Sequence, residues 1–159
     1  MEFNELMQSF AAKLGTELID IENDMAVIEI DGMAFGFILR SDKETLVLAV
    51  DLGQQSVDAD GAFGSMMLKA NFLFEATKGA TLFQNPENEA FGIQQMFSLS
   101  GLDADRLFAE VEKLSNLAEE WKQALVGCAR AETALKERKN EEDSGSAHLA
   151  FGGNGLIRI

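Results

Sequence analysis

The amino-acid sequence predicts an α+β domain: a helix, a three-stranded antiparallel meander, a second helix, two further strands and a third helix. Three observations predict it. Apolar residues recur at helical spacing in three separate segments, short alternating runs fill the intervals, and an Asp-Gly pair joins two of those runs as a hairpin turn. No regular alternation of strand and helix supports a parallel sheet, and no internal repeat has a fixed period.

Phe3, Leu6, Met7, Phe10, Ala11 and Leu14 follow i, i+3, i+4 spacing, and Gly15 closes this amphipathic first helix. Short apolar runs come next: ELIDIE, MAVIEI, MAFGFIL and TLVLAV, separated by Asn23-Asp24, Asp31-Gly32 and the polar RSDKE. Pairing about Asp31-Gly32 sets Ile30 opposite Met33, Ile28 opposite Phe35 and Ala26 opposite Phe37, all on one strongly apolar face. The other face carries Glu29 with Ala34, Val27 with Gly36 and Met25 with Ile38; it too is largely apolar, but built of smaller side chains. A meander ordinarily leaves one face polar and wet. Here either helices cover both faces, or the second face receives another chain.

After the linker DLGQQSVDADG, the spacing predicts a helix over 63–78 that stops at Gly79. Its apolar residues make two stripes. Phe63, Met66, Met67, Ala70, Leu73 and Phe74 cluster on one side; Leu68, Phe72 and Ala76 lie nearly opposite. A helix apolar all round must be covered all round, and the pattern alone leaves open what supplies the second cover and which stripe faces inward. ATLFQ and FGIQQMFSL then flank NPENEA, which holds the only proline, Pro86, and read as a hairpin with a longer loop. Asp103 caps a long helix whose Leu107, Val111, Leu114, Ala118, Trp121 and Leu125 share one buried face. These elements divide the chain into a domain over 1–126, a charged helical extension over 127–143 and a Gly/Ser-rich tail over 144–159. The tail bears two apolar islands, Leu149–Phe151 and Leu156–Ile159. It is either disordered or docked on an apolar groove, in cis or on a symmetry mate, in competition with a ligand.

Composition narrows the function. A chain of 159 residues, 47% hydrophobic and 25% charged, is long enough for one core and too apolar for disorder. Its 27 acidic against 13 basic residues give a net charge of −14, which repels phosphate backbones and anionic membranes alike. Cys128 is the only cysteine, so no internal disulfide forms and a cytoplasmic setting is expected. The first residues, MEFNELMQSF, carry acids where a leader would carry positive charge, and no run is long enough to span a membrane. His148 is the sole histidine and lies in the tail, leaving a nucleophile–base pair nothing to build on. Around Asp58, Asp60 and Gly61 a calcium loop is suggested, but Ser56 and Met67 stand where its end carboxylates belong. No catalytic residue, metal site or cofactor is expected. The remaining candidates are apolar surfaces: Phe3 and Met7 near the outer edge of the first helix, and Val27, Ala34 and Ile38 on the small-residue face of the hairpin.

The stretches MLKANFLFEATKGATLF and FGIQQMFSLSGLDADRLFAEVEKLSNLAEEWKQAL resemble the class I type III secretion chaperones, the family that includes the Tir chaperone. The shared features are a Leu-x-Ala-Asn helix (Leu68, Ala70, Asn71) ending at Gly79, and a strand pair closing in Ser-Leu. Leu102-Asp103 follows, then a helix with an aromatic near its end, Trp121. The resemblance spans about residues 1–126. It implies a secretion-chaperone-like homodimer, independent of ATP, in the bacterial cytoplasm, holding the N-terminal region of a secreted effector competent for export. It also implies that Leu68, Phe72 and Ala76 meet the partner subunit. The main rival is a regulatory or scaffold binding module of the same fold unconnected with secretion; a small-molecule enzyme comes third.

Overall fold

The computed structural model describes residues 2–16, 20–54 and 62–149. The first half of the suggested calcium loop, with Asp58, Asp60 and Gly61, and most of the linker before the second helix lie outside these residues, as do all tail residues beyond Leu149. The element order is α1 (Phe3–Leu14), β1 (Met25–Ile30), β2 (Met33–Leu39), β3 (Thr45–Gly53), α2 (Ala62–Asn71), β4 (Thr81–Gln84), β5 (Phe91–Ser98) and α3 (Ala104–Leu149). The strands form one antiparallel sheet in the order β1-β2-β3-β5-β4. This is the α+β architecture that the sequence predicts.

Local chemistry sets the boundaries. Gly15 closes α1 in the left-handed conformation at φ 70°, a region where a side chain would be strained. Asp31 and Gly32, both at positive φ, make the tight β1–β2 turn, and the resulting register is the one the alternation dictates, from Met25 opposite Ile38 to Ile30 opposite Met33. Between β2 and β3, Asp42 Oδ1 accepts from the N–H groups of Glu44 and Thr45 at 2.9 and 3.0 Å, and Oδ2 from the Thr45 hydroxyl at 3.0 Å. Asp103 caps α3 by accepting the N–H of Arg106 at 2.8 Å.

The core lies between one face of the sheet and the helices. Phe35, Phe37, Leu46, Leu48, Val50 and Ile93 supply it from the strands. Phe10 of α1 packs its ring 5.4 Å from Phe37, and Phe63 of α2 meets Phe91 edge-on at 4.6 Å. From α3, Leu107, Val111, Leu114, Ala118 and Leu125 are buried, at the heptad-like spacing read from the sequence. All three helices thus serve the same side of the sheet.

The second helix departs from expectation. Instead of running over 63–78, α2 ends at Asn71, and Phe72–Phe74 form a single 3-10 turn in which Leu73 and Phe74 take positive φ of 56°. Phe63, Met67 and Ala70 are buried as their stripe requires, but the break turns Leu73 and Phe74 out to solvent. Beyond it, α3 continues without interruption through 127–143 and on to Leu149.

Candidate protein-binding surfaces

Two apolar surfaces remain uncovered by the described residues. The first is the outer face of the sheet. Strand register aligns Met25, Ile38, Val47 and Met96 in a row across β1, β2, β3 and β5, and a second row runs Val27, Gly36, Ala49 and Gln94. Val27 is 60% exposed and Met96 56%. Of the two alternatives for this face, cover by the described helices is not what the structure has, since they pack on the opposite side. Between large and small side chains lies a groove of about 340 Å³, lined among others by Val27, Ala34, Gly36, Ile38, Ala49 and Phe83.

Val27, Ala34 and Ile38, singled out from the sequence, therefore converge on one groove. Phe3 and Met7 do not join them. They are 3% and 0% exposed, inside the core under α1 and on the other side of the sheet. Their expected place at the outer edge is corrected by the helix's own periodicity: they share the stripe of Leu6 and Phe10, and a helix on a sheet buries that stripe.

Sequence reading misses Phe83 and Gly92. The Phe83 ring covers Gly92 so closely that a Cβ there would stand 2.3 Å from ring atom Cζ, well inside contact distance. Only glycine lets the ring lie flat and wall the groove. A glycine inside a strand is the one signal the sequence offers, since it often marks a close approach. Asp51 also lines the groove, and Glu29 stands on the same face, so its rim is acidic.

The second surface surrounds the break after α2. Leu68 and Phe72 are 74% and 73% exposed, and Leu73 and Phe74 are exposed beside them. Ala76, also exposed, sits in the turn following the break rather than on a helix. The segment is anchored by Lys78, whose ammonium pairs with Glu120 of α3 at 3.3 Å, and by Asn71, whose side chain holds Leu82 of β4. Contact between Cys128 Sγ and Met66 Sδ, at 3.7 Å, brings the middle of α3 against α2 as well.

Among the described residues no group of three or more His, Cys, Asp or Glu could hold a metal, and no helix is long and apolar enough to cross a membrane. Both surfaces present exposed apolar side chains.

The sequence model of the Tir chaperone protein (CesT) family matches residues 5–122. The chain belongs to this family of type III secretion chaperones. Solved structures of similar fold include the ExsC–ExsE complex, at TM-score 0.68 and 19% identity over 77% of this chain and 92% of that one. The HopA1–SchA chaperone–effector complex aligns at TM-score 0.61 and 17% identity, covering 76% and 93%. The heterodimeric ExoU–SpcU complex from the type III secretion system of Pseudomonas aeruginosa aligns at 0.56 and 15%, covering 76% and 95%. At such identities the likeness bears on the fold. No curated protein matches the sequence significantly.

Proposed function

We propose that this Tir-family protein is a homodimeric chaperone of the bacterial cytoplasm that captures the N-terminal segment of a type III secreted effector and keeps it competent for export without ATP. The observation that carries this reading is the outer sheet face: an apolar row, a groove and small-residue floor, left open because every helix packs on the opposite side. Monomeric soluble proteins rarely expose so contiguous an apolar patch without a partner for it. Val27, Ala34 and Ile38 are the residues that would meet the client; Phe3 and Met7 would support the sheet from behind.

Dimerisation accounts for the second surface. Leu68, Phe72 and Ala76, joined by Leu73 and Phe74, would pack against the same surface of a second copy, an isologous contact of the kind that closes a two-fold dimer. A disordered client loses ordering entropy when it binds, so a wide surface spread over two subunits suits it better than one small pocket.

Co-expression with candidate effectors tests this reading. The expected product is a stable complex of two chaperone chains with one effector, formed through the effector's N-terminal segment and not released by ATP. Failure of every secreted effector of the source bacterium to co-purify would overturn it.

A further inference from the structure

The Tir-family match ends at residue 122, whereas α3 runs on to Leu149. Leu125 is the last buried side chain described in α3, and Cys128 the last half-buried one. Every described side chain from Arg130 to Asn140 is exposed. A helix whose described side chains are all exposed spans distance rather than packing on its own domain. At about 1.5 Å per residue, the stretch from Leu125 to Leu149 carries the chain roughly 36 Å from its last buried anchor among the described side chains.

At the end of this arm the sequence changes character. After Asp143 there is no further acid through Ile159, in a chain of net charge −14, and the segment holds Arg158 and the apolar islands Leu149–Phe151 and Leu156–Ile159. Arg158 follows Leu149 by nine residues, a reach of at most about 32 Å when fully extended. That falls short of the roughly 36 Å back to Leu125. The chain's own outer groove lies on the side of the sheet opposite α3, so the tail would also have to pass round an edge of the sheet to reach it. A second copy has no such restriction, and α3 leaves the domain beside α2, next to the proposed subunit contact.

We propose that the segment Leu149–Ile159 occupies the outer sheet groove of a second copy of this chain, where it competes with client. The apolar islands match the groove bounded by Val27, Ile38 and Phe83, and Arg158 matches the acidic rim of Asp51 and Glu29. The competition rests on the client-binding reading of the groove; the docking itself does not.

The test uses the full-length chain, without client. Phe151→benzoylphenylalanine protein is mixed with ¹⁵N-labelled wild-type protein, irradiated, and the cross-linked peptides are identified by mass spectrometry. Cross-links should join position 151 to β1, β2 or β3 of the other isotopic species, and Val27→Glu in the labelled chain should lower their yield at least fivefold while its circular dichroism melt is unchanged. Cross-links confined to one copy, cross-links to other surfaces, an absence of cross-links, or a yield indifferent to Val27→Glu would each overturn the proposal. Effector capture by Val27→Glu is measured separately: lost cross-linking with full capture would leave tail docking standing and reject the groove as client site.

Discussion

The carboxamide of Asn71 pairs with the backbone of Leu82 as a neighbouring strand would. Its Oδ1 accepts the Leu82 N–H at 2.9 Å, and its Nδ2 donates to the Leu82 carbonyl at 3.0 Å. β4 is an edge strand of the sheet, so these bonds satisfy groups that β5, its one strand partner among the described residues, cannot reach. The same contact fixes the end of α2 and with it the outward turn of Phe72, Leu73 and Phe74. Asn71→Ala should therefore lower stability by about 2 kcal/mol, the usual range for leaving partly buried backbone groups unpaired. Urea unfolding at fixed protein concentration measures it. A midpoint unchanged from wild type would mean that Asn71 does not hold the edge.

Phe72 is exposed in the single chain, so a charge there should not disturb the protomer's core. In a dimer the same charge would be buried unpaired, costing several kcal/mol. Light scattering of Phe72→Asp should give the 17.3 kDa mass of one chain, with a cooperative melt, where the proposed wild-type dimer would give twice that mass. A folded Phe72→Asp dimer would remove this surface from the subunit contact.

The β2–β3 turn should be sensitive to acid. The Asp42 carboxyl is held below its ordinary value of 3.8, chiefly by the N–H of Glu44, with Thr45 and the charge of Arg40 adding to it against an opposing desolvation. A carboxylate lowered in the folded state stabilises it above the unfolded value and ceases to do so as pH falls through the folded value. Wild type should thus exceed Asp42→Asn in urea midpoint at pH 7, and the gap should close below about pH 4. A gap constant from pH 7 to pH 3 would mean that ionised Asp42 does not hold the turn.

Much of this fold is legible in the sequence alone. Alternation of larger with smaller side chains through MAVIEI and MAFGFIL, together with the Asp-Gly turn between them, marks one register, and slipping it by one residue would move Phe35 and Phe37 off the core face. Asp103 and the spacing from Leu107 to Leu125 likewise dictate the start and the buried face of α3. The break after Asn71 is not legible. Helical periodicity continues through Phe72 and Ala76, and Leu and Phe give no local reason for positive φ; the stop comes from a side-chain bond to Leu82, distant in sequence. The same holds for the groove wall, since the closeness of Phe83 to Gly92 is set by pairing across the NPENEA loop. Phe3 and Met7 are a different case: their spacing already groups them with Leu6 and Phe10, and that pattern is the better guide.

Phe83 and Gly92 should behave as a coupled pair. Gly92→Ala alone pushes the ring away from the sheet and should destabilise by about 1–3 kcal/mol through overpacking. With Phe83→Ala present, the added methyl meets open space and should cost far less, giving a coupling of at least about 1 kcal/mol in a double-mutant cycle. Additive effects would mean that the ring does not rest on Gly92.

Effector capture by Val27→Glu tests the central claim most directly. Val27 sits mid-strand on the outer face and is largely exposed, so the charge should leave the thermal midpoint and the oligomeric mass nearly as in wild type. In a complex with an apolar client segment, the carboxylate would lose its water without gaining a partner. Titration of a labelled N-terminal effector segment should show affinity weakened at least about tenfold, or about 1.4 kcal/mol. Full-affinity capture by the folded variant would contradict the account and move the client site off this face.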